Sequence, residues 1–301
     1  MIVTTYRNVF FAITGAIVAT SVAALLFFGL NFGTDFTGGT SIQVSYVGEM
    51  PTAEHIDAAL AGIGVPQYAV RSAGESAFDI RAGNLTDEMR GALPQVLSVN
   101  GAYNATITRM NEVGPTIGKE LRTKAVYALI LVILAILIFV AFAFRKVSRP
   151  VSSWVYGSIA VVTLVHDVIV PLGFFAVLGH YFGAQVDTLF VTAILTILGF
   201  SVHDTIVVFD RVRENLKINQ DRNRHESFEF IVGKSLNQTL VRSVNTSLTV
   251  LITLLALFFF GPASTQDFAL VLLVGIVAGT YSSIALASPL LVAWEKRITR
   301  A

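Results

Sequence analysis

Six apolar runs, each close to the roughly 20 residues a helix needs to cross a bilayer core, leave this chain few folds to choose from. They lie near residues 9–30, 125–144, 151–178, 187–209, 239–260 and 267–294. In hydrocarbon each backbone N–H and C=O must be satisfied within the protein, so runs of this kind fold as helices. The composition agrees. Of 301 residues, 54% are hydrophobic and 14% charged, against about 25% charged in ordinary soluble domains. The expected fold class is an α-helical integral membrane protein with six transmembrane helices. The first run, at about 22 residues, is longer than a signal-peptide core and is followed by no clear small-residue cleavage site, so it reads as an uncleaved anchor. Cysteine is absent, which excludes disulfides, thiolate metal sites and cysteine nucleophiles. The net charge of +1 favours neither nucleic acid nor acidic partners.

Lysine and arginine in the short connections set the expected orientation. Arg7 precedes the first run, Arg145, Lys146 and Arg149 follow the second, six basic residues lie between Arg211 and Lys234, and the tail carries Lys296, Arg297 and Arg300. The alternate short connections, near 179–186 and 261–266, carry none. Both termini and a loop over 210–238 are therefore expected on the cytoplasmic side, and the segment 31–122 outside.

That outward segment reads as a small α+β domain. SIQVSY (41–46) alternates like a strand, and PTAEHIDAALAGIG (51–64) reads as a helix with Thr52 as N-cap and Gly64 as its stop. Two strands over 67–82 join at a Gly74 turn, a second helix starts from Thr86 with Pro94 inside it, and NATITRM (104–110) closes the series. The order β-α-β-β-α-β is the ferredoxin-like pattern. It holds no convergent nucleophile, base or metal cluster, and His55 reads as a surface residue. The string NFGTDFTGGT (31–40) reads as a rigid elbow. Gly33, Gly38 and Gly39 allow close backbone approach and Asp35 can bind backbone amides. It lacks the lysine and serine of a phosphate-binding loop.

Charged residues inside the apolar runs carry the functional signal. Asp204 lies in LGFSVHDTIVVFD (198–210) and Arg242 in SLNQTLVRSVNTSLT (235–249). Each costs roughly 2.5–3.5 kcal/mol at a bilayer centre, so a pair of opposite sign is expensive to keep for packing alone. Counted from the expected span ends, both lie within about 10 Å of the same face. Gln238, Arg242, Asn245 and Thr249 form one stripe along a helix, and Thr188, Thr192, Thr196 and His203 form a weaker one on the preceding span. Such stripes face a bundle interior or water. A carboxylate whose proton affinity depends on the nearness of a guanidinium can serve as a switchable proton carrier, with arginine as modulator. His203 is the neighbour whose intrinsic pKa suits relay near neutrality, or it serves as a hydrogen-bonding scaffold. His166 and Asp167 form a second patch near the middle of the third run; they belong to the pathway or satisfy one another and a neighbouring helix. Gly275 and Gly279 permit close helix packing in the sixth.

GTDFTGGT, NEVGPTIGKEL (111–121), GFSVHDTIVVFDRVREN (199–215) and SLNQTLVRSVNTSLT resemble, in order and spacing, the motifs of the SecD/SecF family of bacterial protein-export membrane subunits. That family is related to the resistance-nodulation-division (RND) transporters. The string around Asp204, in a chain of this length, resembles the SecF half. His203 stands where many relatives carry Asn. The resemblance implies a non-enzymatic accessory of the Sec translocase in the bacterial inner membrane, driven by the proton-motive force and using no cofactor or metal. It implies SecD as the six-span partner, the SecYEG channel with YajC as a further neighbour, and exported unfolded polypeptide as the load. Half of an RND-type small-molecule or lipid efflux transporter is the alternative. An intramembrane hydrolase built on Asp167 and Asp204 is a third reading; it requires two carboxylates sharing a proton.

Overall fold

The computed structural model describes residues 2–74, 76–145 and 151–300; Lys146 and Arg149, part of the orientation count, lie outside them. A short α1 (Ile2–Thr5) leads into α2 (Arg7–Phe28), and a helical turn α3 (Thr34–Thr37) leads into the sheet. The α/β unit comprises β1 (Gly39–Tyr46), α4 (Ala53–Gly62), β2 (Ala69–Ser72), β3 (Ala77–Ala82), α5 (Asp87–Leu97) and β4 (Ala105–Val113). Helices α6 (Pro115–Ala143), α7 (Ser153–Phe182), α8 (Thr188–Asp221) and α9 (Phe228–Phe260) follow. The chain ends in α10 (Gln266–Ser282), a π-helical stretch (Ser283–Ala287) and α11 (Ser288–Arg300). Among the described residues, six helices are long and apolar enough to cross a membrane: α2, α6, α7, α8, α9 and the composite Gln266–Ile298.

The helix signals in the sequence act as expected. Thr52 accepts from the His55 N–H and Thr86 from the Met89 N–H, satisfying first-turn donors. Gly64 takes a left-handed φ of +71° just beyond α4. The sheet order is β2-β3-β1-β4 with every pair antiparallel. Its inward residues, among them Ile42, Val44, Phe78 and Ile80, close a core with Ile56 and Leu60 of α4 and Leu93 and Leu97 of α5. Pro94 sits inside α5 and does not end it.

Two expected boundaries need correction. The second span starts ten residues before the apolar run, at Pro115; proline with its fixed φ is at home at a helix start. The loop expected over 210–238 contracts to residues 222–227, because α8 runs on to Asp221 and α9 begins at Phe228. Hydropathy marks where lipid begins, and helix propensity does not stop there. DRVRENLKINQD (210–221) is rich in good helix formers and carries Arg211–Glu214 and Asp210–Arg213 pairs one turn apart. Ser227 caps the start of α9 by accepting from the Phe230 N–H at 3.3 Å.

Small residues bring the helices together. A Cβ at Gly173 of α7 would lie 2.5 Å from Ser21 of α2. On α10, one at Gly275 would lie 2.1 Å from Ile197 Cδ1, and one at Gly279 3.1 Å from Ser201 Cβ. The pair Gly275/Gly279 is thus where α10 and α8 approach closely, as the four-residue spacing suggests. The span begun by α10 is the most buried of the six and packs on α7, α8 and α9.

The elbow ties the α/β unit to the helices on both sides. Gly33 N–H donates to the Val186 carbonyl and Val186 N–H to that of Asn31, both at 2.8 Å. Asp35 accepts from the Thr188 N–H at 3.0 Å and from its hydroxyl. Gly38 and Gly39 have φ of +82° and +119°, and a Cβ on Gly39 would lie 2.5 Å from the Ala82 carbonyl oxygen. A side chain is excluded there by both conformation and space.

Candidate functional site

Two carboxylates lie buried in the helical region, in opposite circumstances. Asp167 of α7 is fully buried, at 0% exposure. His166 Nδ1 lies 2.8 Å from its Oδ1, Ser282 Oγ donates to Oδ2 at 2.8 Å, and Ser201 Oγ donates to the same oxygen. Donors from α8 and from the end of α10 thus converge on it. The His166 Nε2 atom is buried and without a hydrogen-bond partner.

Asp204 of α8, one turn beyond Ser201, is 8% exposed. Ser243 of α9, Ser283 of the π-helical stretch, His203 and Arg242 are the groups whose dipoles or charges reach it. The Ser243 and Ser283 hydroxyls lie near its carboxylate without reaching close hydrogen-bond geometry. Asp204 Oδ2 and Ser243 Oγ are both buried without a partner, and Ser283 donates to the Thr280 carbonyl at 3.0 Å. Consecutive serines, Ser282 at the end of α10 and Ser283 opening the π-helical stretch, thus lie toward different carboxylates; such stretches recur at functional sites. A cavity of about 20 Å³ lies beside Asp204, lined by Ser201, His203, Ser247 and Thr280 among others.

No ion pair within 4.0 Å joins Asp204 to Arg242 among the described residues. Arg242, Asn245 and Thr249 of α9 are uncovered by this chain, and so are Thr188, Thr192 and His203 of the adjacent α8. The two polar stripes are therefore both exposed, on helices that pack against one another. Gln238 starts the α9 stripe but works elsewhere: its Oε1 accepts from Arg211 Nε at 2.7 Å and Asn215 Nδ2 at 2.9 Å. The structure brings Asp204, His203 and Arg242 to one region, with Asn245 one turn further along α9. It places His166 and Asp167 deeper, against α8 and α10, and Gln238 toward the 222–227 connection. Asp167 and Asp204 share no hydrogen bond, so the proton-sharing dyad that a hydrolase would need is not formed. Gly33, Asp35, Gly38 and Gly39 belong to the elbow. No group of three or more His, Asp or Glu able to hold a metal occurs among the described residues.

A second charged region lies between the α/β unit and the helix ends. Arg71 of β2 clasps Asp267, in the first turn of α10, through two hydrogen bonds of 2.7 and 3.1 Å. A cleft of about 140 Å³ beside it is lined by Asp35, Asp79, Arg81 and Asp187 as well. Burial pushes the Asp187 carboxyl up to about 6, against the Phe190 N–H bond and with Asp35 and Asp267 adding to the rise. Burial likewise brings Arg81 down to about 10, opposed by Asp79.

The serines and the clasp escape sequence reading, because serine is common in membrane helices and Arg71 is 196 residues from its partner. Ser201, three residues before Asp204 on the same helix face, is the one member that spacing could have flagged.

These features define a multi-pass membrane protein with a small α/β unit after its first span and acidic groups buried among its helices. The chain belongs to the SecD/SecF family: residues 95–297 match the protein export membrane protein SecD/SecF, C-terminal, and residues 23–47 match the SecD/SecF GG motif. It is 45% identical to the protein translocase subunit SecF of Thermobaculum terrenum, over 97% of this chain and 93% of that one. With SecF of Anaerolinea thermophila it shares 39% over 96% and 92%. The crystal structure of SecDF, a translocon-associated membrane protein from Thermus thermophilus, superposes with a TM-score of 0.84 at 34% identity, covering 98% of this chain and 38% of that longer one.

Proposed function

We propose that this chain is an accessory subunit of the Sec protein translocase that, with a SecD partner, uses the proton gradient to promote export of unfolded polypeptide across the bacterial inner membrane. Its relatives are named translocase subunits, which favours this reading over an efflux transporter. On this reading both termini and the 222–227 connection are cytoplasmic. The α/β unit, ferredoxin-like in topology, stands outside beside the exit of the SecYEG channel, with YajC as a further neighbour. SecD supplies six more spans around a pseudo-two-fold axis and covers the polar face of α8 and α9. No resident cofactor is called for.

The observation that carries the proposal is Asp204 Oδ2, buried without a partner beside the exposed stripe bearing Arg242 and Asn245. An unpaired carboxylate oxygen at that depth is costly unless it takes a proton. Asp204 is then the proton-carrying group. Arg242, always charged, changes its affinity by approaching or receding as the halves move. The drive is about 2.3 kcal/mol per charge per 100 mV, which shifts a two-state equilibrium markedly. The test is export of a secreted reporter in cells carrying Asp204→Asn, with proton uptake in vesicles holding the same complex. Loss of both with normal assembly is expected; normal export and uptake would remove Asp204 from the path.

A further inference from the structure

Asp167 has surroundings suited to two protonation states. A fully buried carboxylate is expected to face a cation, since an uncompensated charge is expensive, yet the group beside its Oδ1 is His166, which is charged only when protonated. Its other donors are hydroxyls, which can give or accept. The Ser282 hydroxyl is already shared, at 2.8 Å from Asp167 Oδ2 and 3.1 Å from the Gly279 carbonyl. It therefore keeps an acceptor if Asp167 becomes neutral. On the other side, Ser201 touches both Asp167 and the cavity beside Asp204. That cavity, about 20 Å³, has room for a single water, which needs roughly 10–15 Å³ on this measure together with two to four polar partners. Ser201, Asp204, Ser247 and Thr280 line it.

We propose that Asp167 is a second proton-holding group and that Ser201 passes the proton between it and Asp204. This rests on the reading of Asp204 as proton carrier and names the next station. In the forward step the O–H bond of protonated Asp204 breaks and its proton goes to the cavity water. That water gives a proton to Ser201 Oγ as the serine's own hydrogen moves to Asp167 Oδ2. Each intermediate oxygen gains one O–H bond and loses one. The net change is a proton moved from Asp204 to Asp167 and a negative charge moved the other way. Ser282 then turns to the Gly279 carbonyl, and His166 Nδ1 stays beside Asp167 Oδ1. The reverse sequence resets the chain. Gly279 is a positioning residue here, because any side chain would press on Ser201 Cβ at 3.1 Å.

The test is proton flux, read by a pH-sensitive dye, in vesicles holding this chain with its six-span partner. The variants are Asp167→Asn, Ser201→Ala, Ser201→Thr and, as reference, Asp204→Asn, each checked for co-purification with the partner. Asp167→Asn and Ser201→Ala are expected to cut flux about tenfold or more, and Ser201→Thr, which keeps the hydroxyl, to restore most of it. Infrared difference spectra between two pH values, each taken at equilibrium, should lose a protonated-carboxyl C=O band in Asp167→Asn and retain it in Ser201→Ala, which a purely structural role would not produce. Ser201→Ala removes one oxygen and spares the fold, so it decides the matter even where Asp167→Asn fails to assemble. Full flux in Ser201→Ala, with Asp204→Asn silent, overturns the inference and leaves the proposed function standing. Full flux in Asp204→Asn removes both.

Discussion

The α/β unit and the helical region handle polar groups in opposite ways. In the first, the strands turn their apolar sides to one closed core of Ile42, Val44, Ile80, Leu93 and their neighbours, and among the described residues no charged side chain enters that core. In the second, Asp167 is wrapped inside, while Arg242, Asn245 and His203 stand uncovered along spans otherwise built to meet lipid. Water tolerates an exposed arginine, whereas hydrocarbon makes one cost several kcal/mol. On the proposed function, this exposed polarity is the face of the helical region that a SecD partner covers.

Arg242→Ala offers the hardest attempt to break that contrast. Export and proton uptake should fall by at least about tenfold, while the thermal stability of the chain alone stays within about 0.5 kcal/mol, as for other uncovered side chains. A large loss of stability without its partner would show that Arg242 is held within this chain and that the open face is not an interface. Ile42→Ala is the mirror case. Deleting most of a side chain at 0% exposure should cost the α/β unit about 3 kcal/mol, read by chemical unfolding, with the membrane helices unaffected.

The contrast also governs what was legible in the sequence. Period-two alternation in SIQVSY and the caps at Thr52 and Thr86 act through local chemistry, so the β-α-β-β-α-β order could be read directly. The six spans were legible for the same reason, yet their ends were not. Hydropathy reports the solvent, while α6 begins at its proline and α8 continues through Arg211 and Glu214 into water. Asp204 and Arg242 announced themselves by charge. What surrounds Asp167 did not, because Ser201 and Ser282 converge only after Gly275 and Gly279 have let α10 close on α8, and that is a fact of packing. Arg71 was invisible as a clasp until the fold brought it to Asp267.

That clasp is where the two regions meet, and a smaller effect tests it. Side chains about one-third exposed form weak pairs, and even a bidentate one contributes up to about 1 kcal/mol. Arg71→Asp and Asp267→Arg should each loosen the α/β unit from α10, measured as faster amide exchange in β2 and the first turn of α10. The double exchange should restore most of the protection. If each single variant behaves like the parent, the elbow alone holds the unit in place. Thr86→Ala, inside the unit, should cost about 1 kcal/mol by uncapping α5 and leave the clasp untouched.

The last test is one of pH, and its sign follows from Asp187. Its carboxyl is pushed up to about 6 in the folded protein, against about 3.9 for an ordinary aspartate in the unfolded chain. The folded state thus holds the proton more tightly. The stability this confers is fully present below about pH 4 and is lost as pH rises through about 6. Thermal midpoints should therefore fall across that window as Asp187 ionises beside Asp35 and Asp267. Asp187→Asn keeps an oxygen to cap the Phe190 N–H but cannot titrate, so it should flatten this part of the profile. Asp35→Asn should flatten it less, because Asp35 raises the Asp187 carboxyl only after burial has done so. If the Asp187→Asn profile kept the full slope, the titrating group would lie elsewhere in the cleft, and Asp79, which burial also raises, would be the residue to replace next.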